Sequence, residues 1–476
     1  MTMRMITSFV DGAWRPASGT IVEVKDKFSG GPIALLRPSS DDDVDRAVRA
    51  AQRAAAGAAV PLIDRIEILR RVADAIGERA REFADVITNE AGSTIAEARK
   101  EVERAIVTLR VTAEEARRID GEIVPLEGEP GGAGKFAFML RHPVGIVCAI
   151  TAFNSPLNTP IHKIAPALAA GNAVIVKPPT QTPICSAMLC DLFAEAGLPA
   201  GWLNYIAGTG STVGEQLLSD ERISFYHFTG STVVGKHIAS RIGLRRSSLE
   251  LGSIAATIIC ADSDLDLAIK DVARAGYAKA GQVCTSTQLV LVEQEAYDAV
   301  RVGLQKAVSK LRYGNPKRED THVGPLISPA EADRVCGWME EAVASGAEQL
   351  VGGARERSVV APALFVDVPS EAKLTRQEIF GPVVTLASVA TLGQAVQIFN
   401  GSPYGLAAGV FTRDVGRAFH AIRCLRAGTI HLNASSSSRL DAMPFGGVKD
   451  SGHGKEGPKY AIEEMTERRL AVWHGV

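Results

Sequence analysis

Apolar and polar residues are arranged in three different patterns along this 476-residue chain. Residues 6–37 alternate between apolar and polar positions with glycine-containing turns, which predicts short strands. Apolar residues then recur every three or four positions. This pattern predicts a helix with an acidic start at 39–43 and further helices over 61–91 and 94–119. The first part of the chain therefore combines a few strands with several amphipathic helices.

A third pattern begins at residue 144, where runs of consecutive apolar residues appear. The runs at 144–150 and 173–177 predict strands that are buried on both faces, and each is followed by a polar loop and a helix. Strands at 203–207 and 223–228 extend this series, and a second series begins near Ser253. Repeated strand, turn and helix units predict parallel, doubly wound sheets.

Residues 121–143 belong to neither series, because a glycine-rich turn cluster leads into an extended stretch there. The pattern predicts a hairpin that projects from the first domain, and such arms often pair with another subunit. The chain is too long for a single hydrophobic core. We therefore predict an α/β fold with one doubly wound domain from 1–122 and 144–252, a second from 253–446, and a small β arm from 123–143 and 455–476.

The net charge and the cysteine content argue against several functional classes. The formal net charge of −2 provides no basic field for nucleic acid or an anionic membrane surface. No apolar run is long enough to span a membrane, and residues 1–14 show no signal-peptide pattern. The seven cysteines are odd in number and contain no CxxC pair, which predicts reduced thiols in a cytoplasmic protein without a metal site.

One cysteine stands in a segment with the features of a nucleophile. Cys284 follows a glycine turn and precedes small hydroxyl residues, within AGQVCTST at 280–287. A thiol is nucleophilic only as thiolate, so catalysis needs a polar pocket that lowers its pKa from about 8.5. When this segment is considered alone, an ordinary buried thiol is the more frequent interpretation. The case for catalysis depends on the rest of the chain.

The carboxyl ends of the predicted parallel strands indicate a ligand site, because such sheets bind ligands there. Gly230 and Ser231 open a helix, and a helix N-terminus favours a phosphate group. The glycines at 208–214 do not form the GxGxxG fingerprint and by themselves indicate only tight turns. The residues at these strand ends are 151–154, 177–180, 208–210 and 230–231.

Several motifs are moderately specific one by one and highly specific as an ordered set. They are FN at 153–154, VKP at 176–178, FTGST at 228–232, LELG at 249–252, GQVC at 281–284, EIFGP at 378–382, and PFGG at 444–447 with Lys449 and SG at 451–452. With them the chain resembles NAD(P)-dependent aldehyde dehydrogenases over essentially its whole length. The resemblance implies a Rossmann-like first domain that binds NAD or NADP, a catalytic second domain, and a homodimer or homotetramer.

The resemblance also implies a thioester mechanism. Cys284 would attack the aldehyde carbonyl, and the side-chain amide of Asn154 would stabilise the oxyanion together with the backbone N–H of Cys284. After hydride transfer, Glu250 would activate the water that hydrolyses the thioester. Lys163 matches a family lysine near the site and is a candidate for a proton relay.

Cofactor contacts follow from the same resemblance. Lys177 and Glu378 would bind the two riboses, and Ser231 would bind the pyrophosphate. Phe380 would pack near the nicotinamide. The other expected cofactor residues are Ile150, Thr151, Thr180, Gly208, Gly210, Gly230 and Leu251.

Position 180 bears on the choice between the two cofactors. Many NAD-preferring members carry Glu there, and its carboxylate would repel a 2′-phosphate, whereas Thr180 is neutral. Because Thr180 is neutral and Lys177 is positively charged, neither side chain would repel the 2′-phosphate of NADP. Thr209, however, stands where NADP-linked non-phosphorylating glyceraldehyde-3-phosphate dehydrogenases carry Arg. We therefore predict use of both cofactors and leave the preference open.

The substrate side looks closest to the branch that acts on glyceraldehyde 3-phosphate, lactaldehyde and phosphonoacetaldehyde. Val283 precedes the cysteine where members that handle anionic aldehydes commonly have Arg. Arg104 matches a phosphate-contacting Arg of the glyceraldehyde-3-phosphate group, although a surface helix charge explains it as well. We expect a short or apolar aldehyde, with an anionic aldehyde as the alternative. The expected substrate residues are Arg104, Val283, Thr285, His431 and Arg439.

Two other functional classes compete with this prediction. A coenzyme-A-acylating dehydrogenase would release the same thioester to a thiol, but that branch typically lacks the base at Glu250. A structural or binding protein that kept the fold would not need the set of Cys284, Glu250 and Asn154. Hydrolase and metalloenzyme interpretations have little support, because the nine histidines form no HExxH or triad-like arrangement.

Overall fold

The computed structural model describes residues 3–16 and 19–475. Within them the strands are β1 Arg4–Ile6, β2 Phe9–Val10, β3 Ala13–Trp14, β4 Val22–Lys25, β5 Pro32–Leu36, β6 Gly121–Val124, β7 Lys135–Pro143, β8 Ile146–Ile150, β9 Ala173–Lys177, β10 Leu203–Tyr205, β11 Phe225–Thr229, β12 Arg246–Glu250, β13 Ala255–Ile259, β14 Thr287–Glu293, β15 Glu348–Val351, β16 Arg355–Glu356, β17 Val359–Val360, β18 Ala363–Val366, β19 Val383–Val389, β20 Ala407–Phe411, β21 Thr429–Leu432, β22 Gly452–His453 and β23 Thr466–His474. The α-helices are α1 Asp41–Ala56, α2 Leu62–Glu78, α3 Ala80–Ala91, α4 Ile95–Ala116, α5 Asn158–Ala170, α6 Ile184–Glu195, α7 Glu215–Ser219, α8 Thr232–Arg241, α9 Leu265–Tyr277, α10 Gln294–Val308, α11 Pro329–Ala344, α12 Lys373–Arg376, α13 Leu392–Gly401, α14 Val415–Cys424 and α15 Pro458–Glu464.

Side-chain caps fix the starts of the first and fourth helices. Ser40 and Thr94 each accept a hydrogen bond from the third N–H of the helix that follows, and each belongs to a capping box. The predicted helical stretch at 61–91 divides into α2 and α3 at Arg79, whose φ of −104° and ψ of 20° leave the helical region. Apolar periodicity continues across this break, so the sequence pattern does not reveal it.

The first large sheet has eight strands in the order β22-β12-β11-β8-β9-β10-β2-β3. Its five central strands run parallel, and an antiparallel strand flanks them on each side. The connections reverse direction between β8 and β11, which are neighbours in space but not consecutive in the chain. Such a switch point opens a crevice at the carboxyl ends of the strands, where α/β sheets bind ligands.

The second large sheet has the order β15-β18-β19-β14-β13-β20-β21, with β15 antiparallel to its neighbour and the others parallel. Four residues connect β12 of the first sheet to β13 of the second. Cys284 precedes β14 and therefore lies at the amino end of that strand. The carboxyl edge of the first sheet thus faces the amino edge of the second.

A separate three-stranded sheet in the order β23-β7-β6 forms the arm. The pairing of β23 with β7 is antiparallel and extends from Thr466 opposite Pro143 to His474 opposite Lys135. Two parallel α/β sheets and an attached β arm confirm the predicted fold class. Across residues 3–16 and 19–475, none of the helices combines the length and the apolar character that a membrane span requires.

Candidate active site

A cleft of about 1980 Å³ lies where the two large sheets meet. The first sheet contributes residues at the carboxyl ends of its strands, and the second contributes the loop before β14. The sequence-predicted residues that line the cleft are Arg104, Ile150, Thr151, Asn154, Lys177, Gly210, Gly230, Ser231, Glu250, Leu251, Val283, Cys284, Thr285, Glu378, Phe380 and Arg439.

Four predicted residues lie outside the cleft that residues 3–16 and 19–475 form. Lys163 is fully buried behind it. Thr180 and Gly208 belong to the loops after β9 and β10. His431, one of the expected substrate residues, lies in β21, where it pairs with Gly409 of β20.

The loop before Cys284 places three successive residues in the left-handed backbone region. Lys279, Ala280 and Gly281 have φ values of 50°, 55° and 72°. A Cβ on Gly281 would lie 1.9 Å from the carbonyl oxygen of Gly381, so only glycine allows this close approach. Residues with side chains seldom adopt this conformation, and it persists where surrounding contacts impose it. The loop thereby fixes the position of Cys284.

Asn154 reaches this loop from the carboxyl end of β8. Its Nδ2 donates a 2.7 Å hydrogen bond to the carbonyl oxygen of Gln282, two residues before Cys284. The Gln282 side chain is itself anchored, because its Oε1 accepts from the N–H of Ile327 at 2.9 Å. A primary amide carries two N–H donors. The amide of Asn154 is therefore fixed by one donor and keeps a second.

Glu250 ends β12 and is only 3% exposed. In the part of the chain that the structure describes, neither of its carboxylate oxygens has a hydrogen-bond partner. Burial raises the pKa of Glu250 well above its usual range, and the charge of Glu456 raises it further, while Arg439 opposes the shift. A Cβ on Gly446 would lie 2.7 Å from Oε1 of Glu250, so this glycine of the PFGG motif leaves room for the carboxylate.

The Cys284 thiol shares these surroundings. Burial raises its pKa to about 12, the cation of Arg439 works against this shift, and the charge of Glu250 adds to it. A negative charge on Glu250 therefore disfavours ionisation of the Cys284 thiol. Attack on a carbonyl requires loss of the thiol proton.

A buried charge network continues behind Glu250. Lys163 donates to Oγ1 of Thr229 and to Oε1 of Glu456, both at 2.7 Å. Burial acts to raise the pKa of Glu456, but Lys163 and Arg439 outweigh it and hold this pKa well below its usual range. Lys163 therefore keeps a negative charge on Glu456, beside the carboxyl group of Glu250.

The network extends along the cleft through Arg439, Asp441 and Arg104. Arg439 donates to Oε2 of Glu456 at 3.0 Å. Asp441 accepts two hydrogen bonds from Arg104, at 2.6 and 3.0 Å, and lies 3.1 Å from Nε2 of His162. The Arg104 side chain is 40% exposed, whereas that of Asp441 is 4% exposed. Arg104 therefore keeps N–H donors that its buried partner does not use.

Lys177 and Thr151 lie at the other end of the cleft, where Lys177 ends β9 and Thr151 follows the neighbouring strand β8. The Lys177 ammonium is 3.5 Å from the carbonyl oxygen of Pro178, and burial lowers its pKa to about 8. Among the described residues, the buried hydroxyl of Thr151 has no hydrogen-bond partner. Buried polar groups usually have partners, so these two side chains fit the hydroxyl groups of a bound nucleotide.

Glu378 is the second acidic group of the cleft with an unusual environment. One of its carboxylate oxygens accepts from the N–H of Ser253 at 2.9 Å, and burial raises the pKa of Glu378 to about 7. A Cβ on Gly252 would lie 2.6 Å from the other oxygen. Glycine at this position therefore lets the carboxylate approach the segment that joins the two sheets, where it can accept from a ribose hydroxyl.

The start of α8 and a pair of aromatic rings complete this end of the cleft. Ser231 lines the cleft and caps α8 by accepting from the N–H of Val234. The N-terminus of this helix favours a phosphate group. Phe380 packs against Phe153, with ring centroids 5.7 Å apart. A helix N-terminus, buried ammonium, hydroxyl and carboxyl groups, and an aromatic ring in one cleft fit a nicotinamide dinucleotide.

Val283 and Thr285, the immediate neighbours of Cys284, line the cleft. Val283 brings no charge, and Oγ1 of Thr285 donates to Oγ of Ser437 at 3.2 Å. Throughout residues 3–16 and 19–475, no group of three or more His, Cys, Asp or Glu side chains is arranged to hold a metal ion.

Sequence analysis missed several charged residues of this site. Glu456 and Asp441 belong to the serine- and glycine-rich segment at 433–457, and sequence analysis assigned neither carboxylate to the site. The buried pair of Lys279 and Glu101 beside the Cys284 loop was also missed. The members of each ion pair are distant in the chain, and a charged residue is usually exposed. Nothing in the local pattern therefore indicates burial at these positions.

Comparisons with known proteins agree with this geometry. The aldehyde dehydrogenase family model matches residues 14–471. The 3-sulfolactaldehyde dehydrogenase of Priestia aryabhattai is 44% identical over 464 residues, which cover 98% of this chain and 97% of that protein. The crystal structure of aldehyde dehydrogenase 21 from Physcomitrella patens, in complex with the reaction product succinate, is 35% identical with a TM-score of 0.97 and covers 100% of this chain and 99% of that one. The NADP complex of the NADP-dependent glyceraldehyde-3-phosphate dehydrogenase from Bacillus halodurans is 31% identical with a TM-score of 0.96 and full coverage of both chains. The chain therefore belongs to the aldehyde dehydrogenase family of NAD(P)-dependent oxidoreductases.

Proposed function

We propose that this protein oxidises a short aldehyde to its carboxylic acid with NAD or NADP, through a thioester on Cys284. The observation that carries the proposal is the convergence of Asn154, Cys284 and Glu250 in one cleft, beside groups that fit a dinucleotide. These three residues follow β8, precede β14 and end β12, respectively. The fold, rather than their proximity in the chain, brings the three groups together.

The first half-reaction forms the thioester. The Cys284 sulfur attacks the aldehyde carbon as its proton passes to Glu250. The oxyanion that develops is stabilised by Nδ2 of Asn154 and the backbone N–H of Cys284, two donors held in place before the reaction. When bound, the nicotinamide supplies the acceptor for the hydride of the aldehyde carbon. The acyl group then remains on the sulfur.

The second half-reaction hydrolyses the thioester. Glu250, once it has released the proton of the thiol, takes a proton from water as the water oxygen attacks the acyl carbon. Collapse of the tetrahedral intermediate breaks the carbon–sulfur bond and releases the acid. Burial and the charge of Glu456 raise the pKa of Glu250, which makes its carboxylate a stronger base.

Turnover with both cofactors tests the proposal. A panel of short aldehydes is assayed with NAD and with NADP by the absorbance of the reduced nicotinamide. We expect activity with both, because Thr180 brings no carboxylate to the adenine ribose and Lys177 brings a positive charge. Negligible turnover with NADP beside NAD would contradict the argument from Thr180. No turnover with any aldehyde would contradict the function, and acyl-CoA formation after addition of coenzyme A would support the acylating alternative.

The substrate end of the cleft favours an aldehyde that carries a compact anionic group. The side chains of Arg104 and Arg439 both line it, and guanidinium groups bind oxyanions through paired N–H donors. The relative at 44% identity is named for 3-sulfolactaldehyde, which carries a sulfonate. These observations favour the anionic alternative over the short or apolar aldehyde that the sequence suggests.

An uncharged short aldehyde is the second candidate. Arg104 already binds the buried carboxylate of Asp441, and Arg439 binds that of Glu456. Val283 places no further cation next to Cys284. A neutral substrate such as lactaldehyde would leave both ion pairs undisturbed.

Replacement of Arg104 with alanine separates the two candidates. If Arg104 binds an anionic group, kcat/KM is expected to fall about 10- to 100-fold for 3-sulfolactaldehyde and less than about threefold for lactaldehyde, because a hydrogen bond to a charged group contributes about 1.5–3 kcal/mol. The steady-state constants of both aldehydes are compared in each variant. An equal loss for both would contradict an anion-binding role.

Two further variants control this comparison. Arg104→Ala/Asp441→Asn also removes the buried carboxylate that would otherwise lose its cation, so that a folding defect is not mistaken for lost binding. Arg110→Ala replaces an exposed arginine on the same helix, α4, and is expected to behave as the wild type.

The arm favours assembly into a homodimer or homotetramer. One face of its sheet exposes Ile123, Leu140 and Trp473, the last with 65% of its surface accessible. Contiguous exposed apolar side chains on a small sheet usually mark an interface. Sedimentation velocity of the full chain is expected to show a dimer or a tetramer, and a monomer at micromolar concentration would contradict this assignment.

We propose a cytoplasmic location because the cysteines are free thiols. All seven are free thiols in the structure. Proteins of oxidising compartments commonly stabilise themselves with disulfides, whereas a reducing cytoplasm keeps thiols free.

A further inference from the structure

Two hydrogen bonds that run in opposite directions tie Asn154 to the loop of Cys284. Nδ2 of Asn154 donates to the carbonyl oxygen of Gln282 at 2.7 Å. In return, Nζ of Lys279 donates to the carbonyl oxygen of Asn154 and to Oγ of Ser155, both at 2.8 Å. We infer that Lys279 is a positioning residue that holds the Asn154 amide in its catalytic place beside Cys284.

The ammonium of Lys279 is fully engaged in this bridge. It has three N–H donors, and Oε2 of Glu101 accepts the third at 2.6 Å. The side chain of Lys279 is 15% exposed and that of Glu101 is 2% exposed. Water screens the pair only weakly, so its charge-assisted hydrogen bonds hold the lysine in one place.

The backbone of Lys279 is held by the same helix. Its N–H donates to Oε1 of Glu97 at 2.6 Å. The other carboxylate oxygen of Glu97 closes the capping box of α4 with Thr94. Lys279 begins the left-handed run of the loop, with a φ of 50°. Helix α4 therefore determines both the backbone conformation at this residue and the direction of its side chain.

Glu101 extends the arrangement to the other side of Asn154. Its Oε1 accepts from the N–H groups of Leu157 and Asn158, at 3.0 and 3.3 Å, where α5 begins. Asn154 lies four residues before the start of this helix. Glu101 thus holds the segment that follows Asn154, while Lys279 holds Asn154 itself.

Two attachments restrict the amide in a way that one does not. A single hydrogen bond from Asn154 to Gln282 allows the amide to pivot about the line between donor and acceptor, which moves its second N–H relative to the sulfur. The Lys279 bridge fixes the Asn154 backbone to the same loop and removes this rotation. A misplacement of about 1 Å in an active site can lower the rate about 10²-fold.

A double-mutant cycle tests the inference, which rests on the proposed role of Asn154. Lys279→Met alone would leave Glu101 buried without its cation and threaten the fold. The test variant is therefore Lys279→Met/Glu101→Gln, which removes both charges and keeps the approximate shape. It is made in the wild-type and Asn154→Ala backgrounds. Lys306→Met, which replaces an exposed lysine of α10 outside the cleft of the described residues, is the matched control.

The expected result is a loss of turnover that depends on the Asn154 amide. In the wild-type background, Lys279→Met/Glu101→Gln is expected to lower kcat about 10²-fold, close to the loss of an oxyanion donor. In the Asn154→Ala background the same change should cost less than about threefold, because no amide is left to position. Lys306→Met should stay within about twofold of the wild type. Thermal unfolding and near-ultraviolet circular dichroism are recorded for every full-length variant.

Four results would overturn the inference. An equal factor in both backgrounds would show that Lys279 supports the loop independently of Asn154. A wild-type background that loses no activity would remove the positioning role, and so would an Asn154→Ala variant with unchanged kcat. A wild-type protein without turnover would overturn the proposed function as well, which distinguishes the two failures.

Discussion

Replacement of Cys284 with alanine is expected to lower kcat by at least about 10⁴-fold, because no acyl-enzyme can form without the sulfur. Among the cysteines of the described chain, Cys284 is the one that lines the cleft. The substitution leaves the cofactor end untouched, so binding of NAD and the midpoint of thermal unfolding should change little. Steady-state turnover, cofactor titration and thermal unfolding of the variant measure these three quantities.

Cys424→Ala is the matched control for this substitution. Cys424 is a half-buried thiol of α14, with its sulfur 3.8 Å from Nδ1 of His420, and it lies outside the cleft of the described residues. Its replacement should leave kcat unchanged. Mass spectrometry of the wild type after mixing with aldehyde and cofactor should locate the acyl group on Cys284. An adduct on another residue, or substantial turnover by Cys284→Ala, would contradict the thioester mechanism.

The sequence predicts best those parts of the molecule in which a local pattern has a single structural explanation. The apolar runs at 144–150 and 173–177 lack polar alternation because β8 and β9 are buried on both faces. The rule that ligands bind at the carboxyl ends of parallel strands then brings Asn154, Lys177 and Ser231 to one edge, and all three line the cleft. Fold class and cofactor edge therefore follow from residues near one another in the chain.

The position of Cys284 could not be predicted in this way, because Cys284 lies at the amino end of β14 and the rule concerns the carboxyl ends of parallel strands. Its meeting with Glu250 depends on how the second sheet follows the first, and only the family resemblance indicated it. The charges of Glu456 and Asp441 are harder still to predict, since each is stabilised in a buried position by cations distant in the chain. His431 was expected near the substrate, and nothing in its local sequence indicates that it lies in the edge strand β21.

Replacement of Glu250 with glutamine is expected to separate the two half-reactions. The amide cannot accept a proton from water, so deacylation and kcat should fall about 10²- to 10⁴-fold. Cys284 and Asn154 remain, and the first turnover should still release about one equivalent of reduced nicotinamide per site, as a burst. This burst should be slower than in the wild type, because Glu250 also receives the proton of the thiol. Stopped-flow absorbance measures its amplitude and its rate.

The pH dependence of deacylation provides the second test of Glu250. Only its carboxylate form accepts a proton from water, and burial together with the charge of Glu456 raises its pKa well above the usual range. The wild-type deacylation rate should therefore increase as the pH rises through this raised pKa, and ionisation of the thiol does not contribute because the sulfur is acylated. The increase should vanish in Glu250→Gln and persist in Glu221→Gln, which replaces an exposed carboxylate just before β11. A deacylation rate that decreases with rising pH, or a glutamine variant that keeps the wild-type profile, would contradict a general-base role for Glu250.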